Sequence, residues 1–66
     1  MNKGTKIIGK VNGIIGIVEE TKIENGKEYV IVKWKNAEPH QHQRSTIEIE
    51  YLRWQEKKGG FEIIEK

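Results

Sequence analysis

Two histidines, a serine and nearby glutamates are the side chains whose types and spacing most resemble a chemical site. His40-Gln41-His42 sets two imidazoles at i and i+2, which face the same way on an extended segment. Glu38 adds a third metal-ligand type, but no further strong ligand stands at a usual spacing, and Pro39 places the group in a loop. The loop reads as solvated, with no metal and no cofactor implied. His40 or His42 with Ser45 and Glu48 also supplies the residue types of a hydrolytic triad. A chain of 66 residues is too short to wrap an enclosed pocket and oxyanion hole around them. The expectation is a non-catalytic protein, unless an oligomer builds a shared site.

A second group of residues points to binding rather than catalysis. Lys33 and Lys35 are two apart on a β-rich run, so they project from one face and can meet successive phosphates. Trp34 lies between them and points the other way, into the core. Lys6 and Lys10, near the first loop, and Arg44, on a later strand, complete the candidate basic face. Arg53, Lys57 and Lys58 form another basic group beside Trp54, whose indole can stack on an unpaired base. The competing explanation is that the lysines are solubilising surface and both tryptophans are core, because ten glutamates partly cancel the field. Tyr29, Trp34, Tyr51, Trp54 and Phe61 can likewise line a groove for a peptide or a cage for a cation. A barrel of this size needs about that many large side chains to fill itself, so core packing is favoured.

The elements that would position these residues are short and β-rich. Lys6-Ile7-Ile8 reads as a first strand, and Gly9 to Gly13 as a loop. Ile14 to Lys22 reads as a second strand, interrupted by Gly16. Asn25-Gly26 between two β-rich runs is a strong hairpin signal, since both residues tolerate the positive φ angles of a type I′ turn. Lys27 to Lys35 returns as the third strand, and Asn36 to Gln43 is a polar loop. Thr46 to Tyr51 alternates, with Ile47, Ile49 and Tyr51 on one face. Tyr51-Leu52-Arg53-Trp54 breaks that alternation as a single helical turn, and no segment carries a sustained helical period. Lys57 to Gly60 reads as a permissive polar turn, where substitution of Gly59 should cost less than substitution of Gly26. Phe61 to Ile64 closes the set.

The run Gly9-Lys10-Val11-Asn12-Gly13-Ile14-Ile15-Gly16-Ile17-Val18, with glycines at 9, 13 and 16 followed by Val18, resembles the KOW motif. The likeness covers Thr5 to about Trp34. It departs from the family in lacking the usual Gly-Asp pair and alternating valines before the first motif glycine. Val30 to Trp54 is also similar in outline to Tudor-type barrels. These resemblances imply an SH3-like binding module, with nucleic acid the commonest ligand of KOW domains and protein that of Tudor domains. Within the motif, Gly13 is expected at positive φ, and Gly16 at a bulge or close backbone approach.

Composition is compatible with that outline. The length allows one domain, spanning 1–66, that buries about 60% of the surface of its unfolded chain. Absence of cysteine excludes disulfides and thiolate metal sites and suits a reducing compartment. No apolar run approaches the length of a membrane helix or a signal peptide, so a cytoplasmic protein without membrane attachment is expected. The net charge of +2 divides into +3 over residues 1–35 and −1 over residues 36–66. That is far from the strongly basic balance of a dedicated nucleic-acid binder. The sequence therefore predicts an all-β, five-stranded SH3-like barrel with one helical turn before the last strand. It is expected to be a monomer or small homo-oligomer that binds nucleic acid through Lys6, Lys10, Lys33, Lys35, Arg44, Arg53 and Trp54. The alternative is a protein-interaction module that uses an aromatic groove or a strand edge.

Overall fold

Clusters of Ile and Val separated by turn residues give five strands in the computed structural model, which describes residues 1–35 and 43–66. They are β1 (Lys6–Gly9), β2 (Ile15–Glu24), β3 (Lys27–Trp34), β4 (Arg44–Glu48) and β5 (Phe61–Ile64), with one helix, α1 (Ile49–Lys58), before the last. The strands form one antiparallel sheet in the order β4-β3-β2-β1-β5. The hairpin lies where the sequence places it. Asn25 (φ 53) and Gly26 (φ 77) are both in the left-handed region between β2 and β3. The twist of such a turn matches that of its strands, so the hairpin can run to Glu24 and Lys27 at its tip.

Strand alternation sorts the side chains onto two faces. Ile7, Val18, Val30, Val32 and Ile63 are buried on the inner face, and Leu52 of α1 joins them to form the core. Trp34 packs against this cluster, as expected from its place between two lysines. Its indole N–H donates to Ser45 Oγ at 3.0 Å, and its ring lies 6.5 Å from that of Phe61. Gly16 makes room for it. A Cβ at that position would stand 2.7 Å from Trp34 Cε3 and would also strike Val32 Cγ1. Gly16→Ala is therefore expected to cost about 1–3 kcal/mol by overpacking. A thermal melt that leaves the midpoint unchanged would show that the indole moves aside freely.

The helix is longer than the single turn expected from sequence. It spans ten residues, and β4 ends at Glu48, so Ile49 and Tyr51 belong to α1 rather than to a strand. Ile49 and Leu52, three apart, turn toward the core where continued alternation would have exposed one of them. Glu50 in the first turn and Lys57 and Lys58 in the last complement the helix dipole. Gly59 (φ 87) ends the helix, with its N–H donating to Glu56 O and that of Gly60 donating to Gln55 O. It is thus a helix stop rather than a permissive turn. Gly26→Val and Gly59→Ala should each lower stability by about 1–2 kcal/mol, because both force a side chain into the left-handed region. Chemical denaturation midpoints check this, and negligible loss at either position would contradict its assigned conformation.

The helix packs on β3, β4 and β5, so it bridges the two edge strands of the sheet. Among the described residues, no helix is long and apolar enough to cross a membrane.

Candidate nucleic-acid interface

Antiparallel pairing assembles a cross-strand row on the outer face of the sheet. Ile64, Lys6, Ile17, Lys33 and Arg44 stand directly opposite one another across β5, β1, β2, β3 and β4. Lys35 stands two residues beyond Lys33, held by its N–H to Ile15 O at 2.8 Å. With neighbouring strands about 4.8 Å apart and about 3.4 Å of rise per residue, the Lys33 backbone stands about 5 Å from Arg44 and about 7 Å from Lys35. Lys6 stands about 10 Å from Lys33, two strands away. Lys6, Lys33, Lys35 and Arg44 are all exposed. Isoleucines 8, 15 and 17 between them are half-buried, a setting in which lysine stems can lie over apolar surface.

Electrostatics distinguish these four cations. Lys6, Lys33 and Lys35 make no ion pair among the described residues, whereas Arg44 Nε donates to Glu19 Oε1 at 2.7 Å. That hydrogen bond holds the Glu19 carboxyl below its ordinary value; partial desolvation opposes it, and the charges of Arg44, Lys33 and Lys3 reinforce it. The same bond raises the Arg44 guanidinium. An open depression of about 350 Å³ lined by Met1, Asn2, Lys3, Glu19, Glu20 and Thr21 adjoins the pair.

The remaining predicted residues do not join this row. Lys10 sits in the β1–β2 loop, where Gly13 has the expected positive φ (71). The Lys10 N–H donates to Gly60 O at 3.0 Å, which fixes the loop against the turn after α1. Arg53 and Trp54 are on α1, which packs against the inner face through Leu52, so they lie on the opposite side of the sheet from Lys33. Arg53 is engaged by Glu65 and by Glu56, the latter at 3.5 Å, and the Glu65 hydrogen bond raises its guanidinium. Trp54 is 51% exposed, with Lys58 Nζ 4.2 Å from its ring centroid and Tyr51 6.1 Å away. It is therefore not core, contrary to the explanation that makes both tryptophans core. The five aromatics also share no groove. Trp34 and Phe61 pack inside, Tyr29 is on the outer face, and Tyr51 and Trp54 are on the helix.

Of the other chemical candidates, Glu38, His40 and His42 lie outside the described residues. Ser45 is engaged by the Trp34 indole. Acidic residues share this face by register, Glu20, Glu48 and Glu62 beside Glu19, and no local pattern marks Glu19. It acts there because the β2–β3 register slips between Val18 and Glu20. Comparison with protein-family models, with curated proteins and with solved structures finds no match, so function has to be read from these two faces.

Proposed function

We propose that this chain is a non-catalytic SH3-like module whose outer sheet face binds the phosphate backbone of nucleic acid. The barrel assignment is supported by the strand order, in which β1 pairs with both β2 and β5, and by a helix bridging the two edges. The observation that carries the binding assignment is the cross-strand row of Lys6, Lys33 and Arg44, with Lys35 beside it. Three of these cations are free of carboxylate partners among the described residues, so their charge faces outward. Such a face holds phosphates without reading bases, and its affinity is governed by counterion release.

The test is a titration of labelled single-stranded and duplex oligonucleotides over a range of salt concentrations. Binding at low salt that falls steeply as salt rises is expected, with a slope of about 0.7–0.9 per phosphate contact. No binding at low salt would refute the assignment. A second reading, docking of a protein on α1, is favoured by the exposed Tyr51–Trp54 pair. It predicts binding that moderate salt leaves intact and that Trp54→Ala removes.

A further inference from the structure

Glu19 is the extra residue of a β-bulge. Val18 pairs with Val32 and Glu20 with Ile31, so β2 spends two steps where β3 spends one. A bulge re-aims a side chain out of the regular ladder. Here the carboxylate reaches across β3 to the guanidinium of Arg44 on β4. The contact lies beside Lys33, the direct cross-strand partner of Arg44.

Both side chains are substantially exposed, at 56% for Arg44 and 33% for Glu19. An ion pair so exposed adds little to stability. Its consequence falls on ligand binding. Arg44 is the only arginine among Lys6, Lys33, Lys35 and Arg44, and a guanidinium fork suits a phosphate bidentately where lysine offers a point charge. It is also the one already held by an anion. A phosphate taking the Nε edge of Arg44 must displace the Glu19 carboxylate, and one held on the Nη groups must tolerate it nearby. A lone phosphate has little to offset that cost. A backbone whose neighbouring phosphates are met by Lys33, Lys35 and Lys6 offsets it through those contacts.

We infer that Glu19 is a built-in competitor on this face: it occupies Arg44 in the free protein and yields it to a polyanionic backbone, which sets a threshold against small anions. The inference rests on the assignment of the outer face to nucleic acid.

A double-mutant cycle tests it: wild type, Glu19→Gln, Arg44→Ala and the double variant, each titrated with labelled oligothymidylate over a salt series. Inorganic phosphate serves as a competitor, and circular dichroism checks folding. Arg44→Gln replaces Arg44→Ala if the latter unfolds. Glu19→Gln is expected to tighten binding several-fold at low salt while leaving the salt slope nearly unchanged, because Arg44 meets its phosphate in both complexes and only the cost of displacing Glu19 is removed. It should also make binding more sensitive to inorganic phosphate. These gains should vanish when Arg44 is absent. An equal gain with and without Arg44 would make Glu19 a plain repulsive charge and overturn the inference. Wild-type binding that Glu19→Gln leaves unchanged would overturn it while the nucleic-acid assignment stands. Absence of binding by wild type and Glu19→Gln alike would remove the assignment and the inference with it.

Discussion

Leu52→Ala is expected to destabilise the domain by about 2–5 kcal/mol, enough to unfold much of the population at room temperature. Leu52 has no exposed surface and is the fully buried residue of α1. It fastens the helix to the core cluster of Ile7, Val18, Val30, Val32 and Ile63. Its truncation leaves a void that those short β-branched side chains, fixed on a hydrogen-bonded sheet, are poorly able to fill. A domain of this length holds only about 3–10 kcal/mol in total, at about 0.05–0.15 kcal/mol per residue. Ile23→Ala is the control. Ile23 is 74% exposed near the tip of the hairpin, and its loss should stay within about 0.5 kcal/mol. Comparable denaturation midpoints for the two variants would mean that α1 contributes nothing to the core.

The same helix marks where the sequence was ambiguous. Ile47, Ile49 and Tyr51 satisfy a strand period, while Ile49 and Leu52 satisfy a helical spacing, and the overlap leaves period alone undecided. The deciding signals lay at the far end. Lys57-Lys58 followed by Gly59-Gly60 is a helix stop, with cations near the C-terminal carbonyls and a glycine free to turn left-handed. Features governed by one or two neighbouring residues were legible. Asn25-Gly26 needed only its own φ preferences, and Trp34 declared its face by sitting between Lys33 and Lys35. Gly16 was expected at a bulge or a close backbone approach, but the bulge lies between Val18 and Glu20 and the atoms that crowd Gly16 are the side chains of Val32 and Trp34, the latter 18 positions along the chain.

The candidate face divides in the same way. That Lys33 and Lys35 share a side follows from strand geometry alone. That Lys6 and Arg44 align with Lys33 depends on the β1–β2 and β3–β4 registers and on the bulge within the β2–β3 hairpin, none of which a local pattern specifies. Arg53 and Trp54 form a second basic group in the sequence, and on α1 no local signal tells which side of the sheet that group takes. Leu52 orients that helix inward and sends its two neighbours to the opposite side. The Arg44–Glu19 pair needed both the register and the bulge, so it was invisible in the sequence.

Charge reversal of Lys33 and Lys35 is expected to abolish oligonucleotide binding while leaving the fold intact. Both side chains project from the outer face, so Lys33→Glu with Lys35→Glu removes no core contact. The double variant changes the face by four charge units. By strand register the outer face carries Lys6, Lys22, Lys27, Lys33 and Arg44, with Lys35 beside them, against Glu19, Glu20, Glu24, Glu48 and Glu62, so its sum falls from +1 to −3. A phosphate backbone would then meet repulsion where it had met two contacts, and the single reversals should each weaken binding and flatten the salt slope by about 0.7–0.9. Lys10→Glu, at the start of the β1–β2 loop against Gly60, should have a smaller effect because Lys10 lies outside the row. Trp54→Ala should have none, since the helix faces away from the outer side of the sheet. Loss of binding in Trp54→Ala with retention in Lys33→Glu/Lys35→Glu would transfer the site to α1. In that case Tyr51, Trp54 and Lys58, rather than the sheet, would form the contact surface.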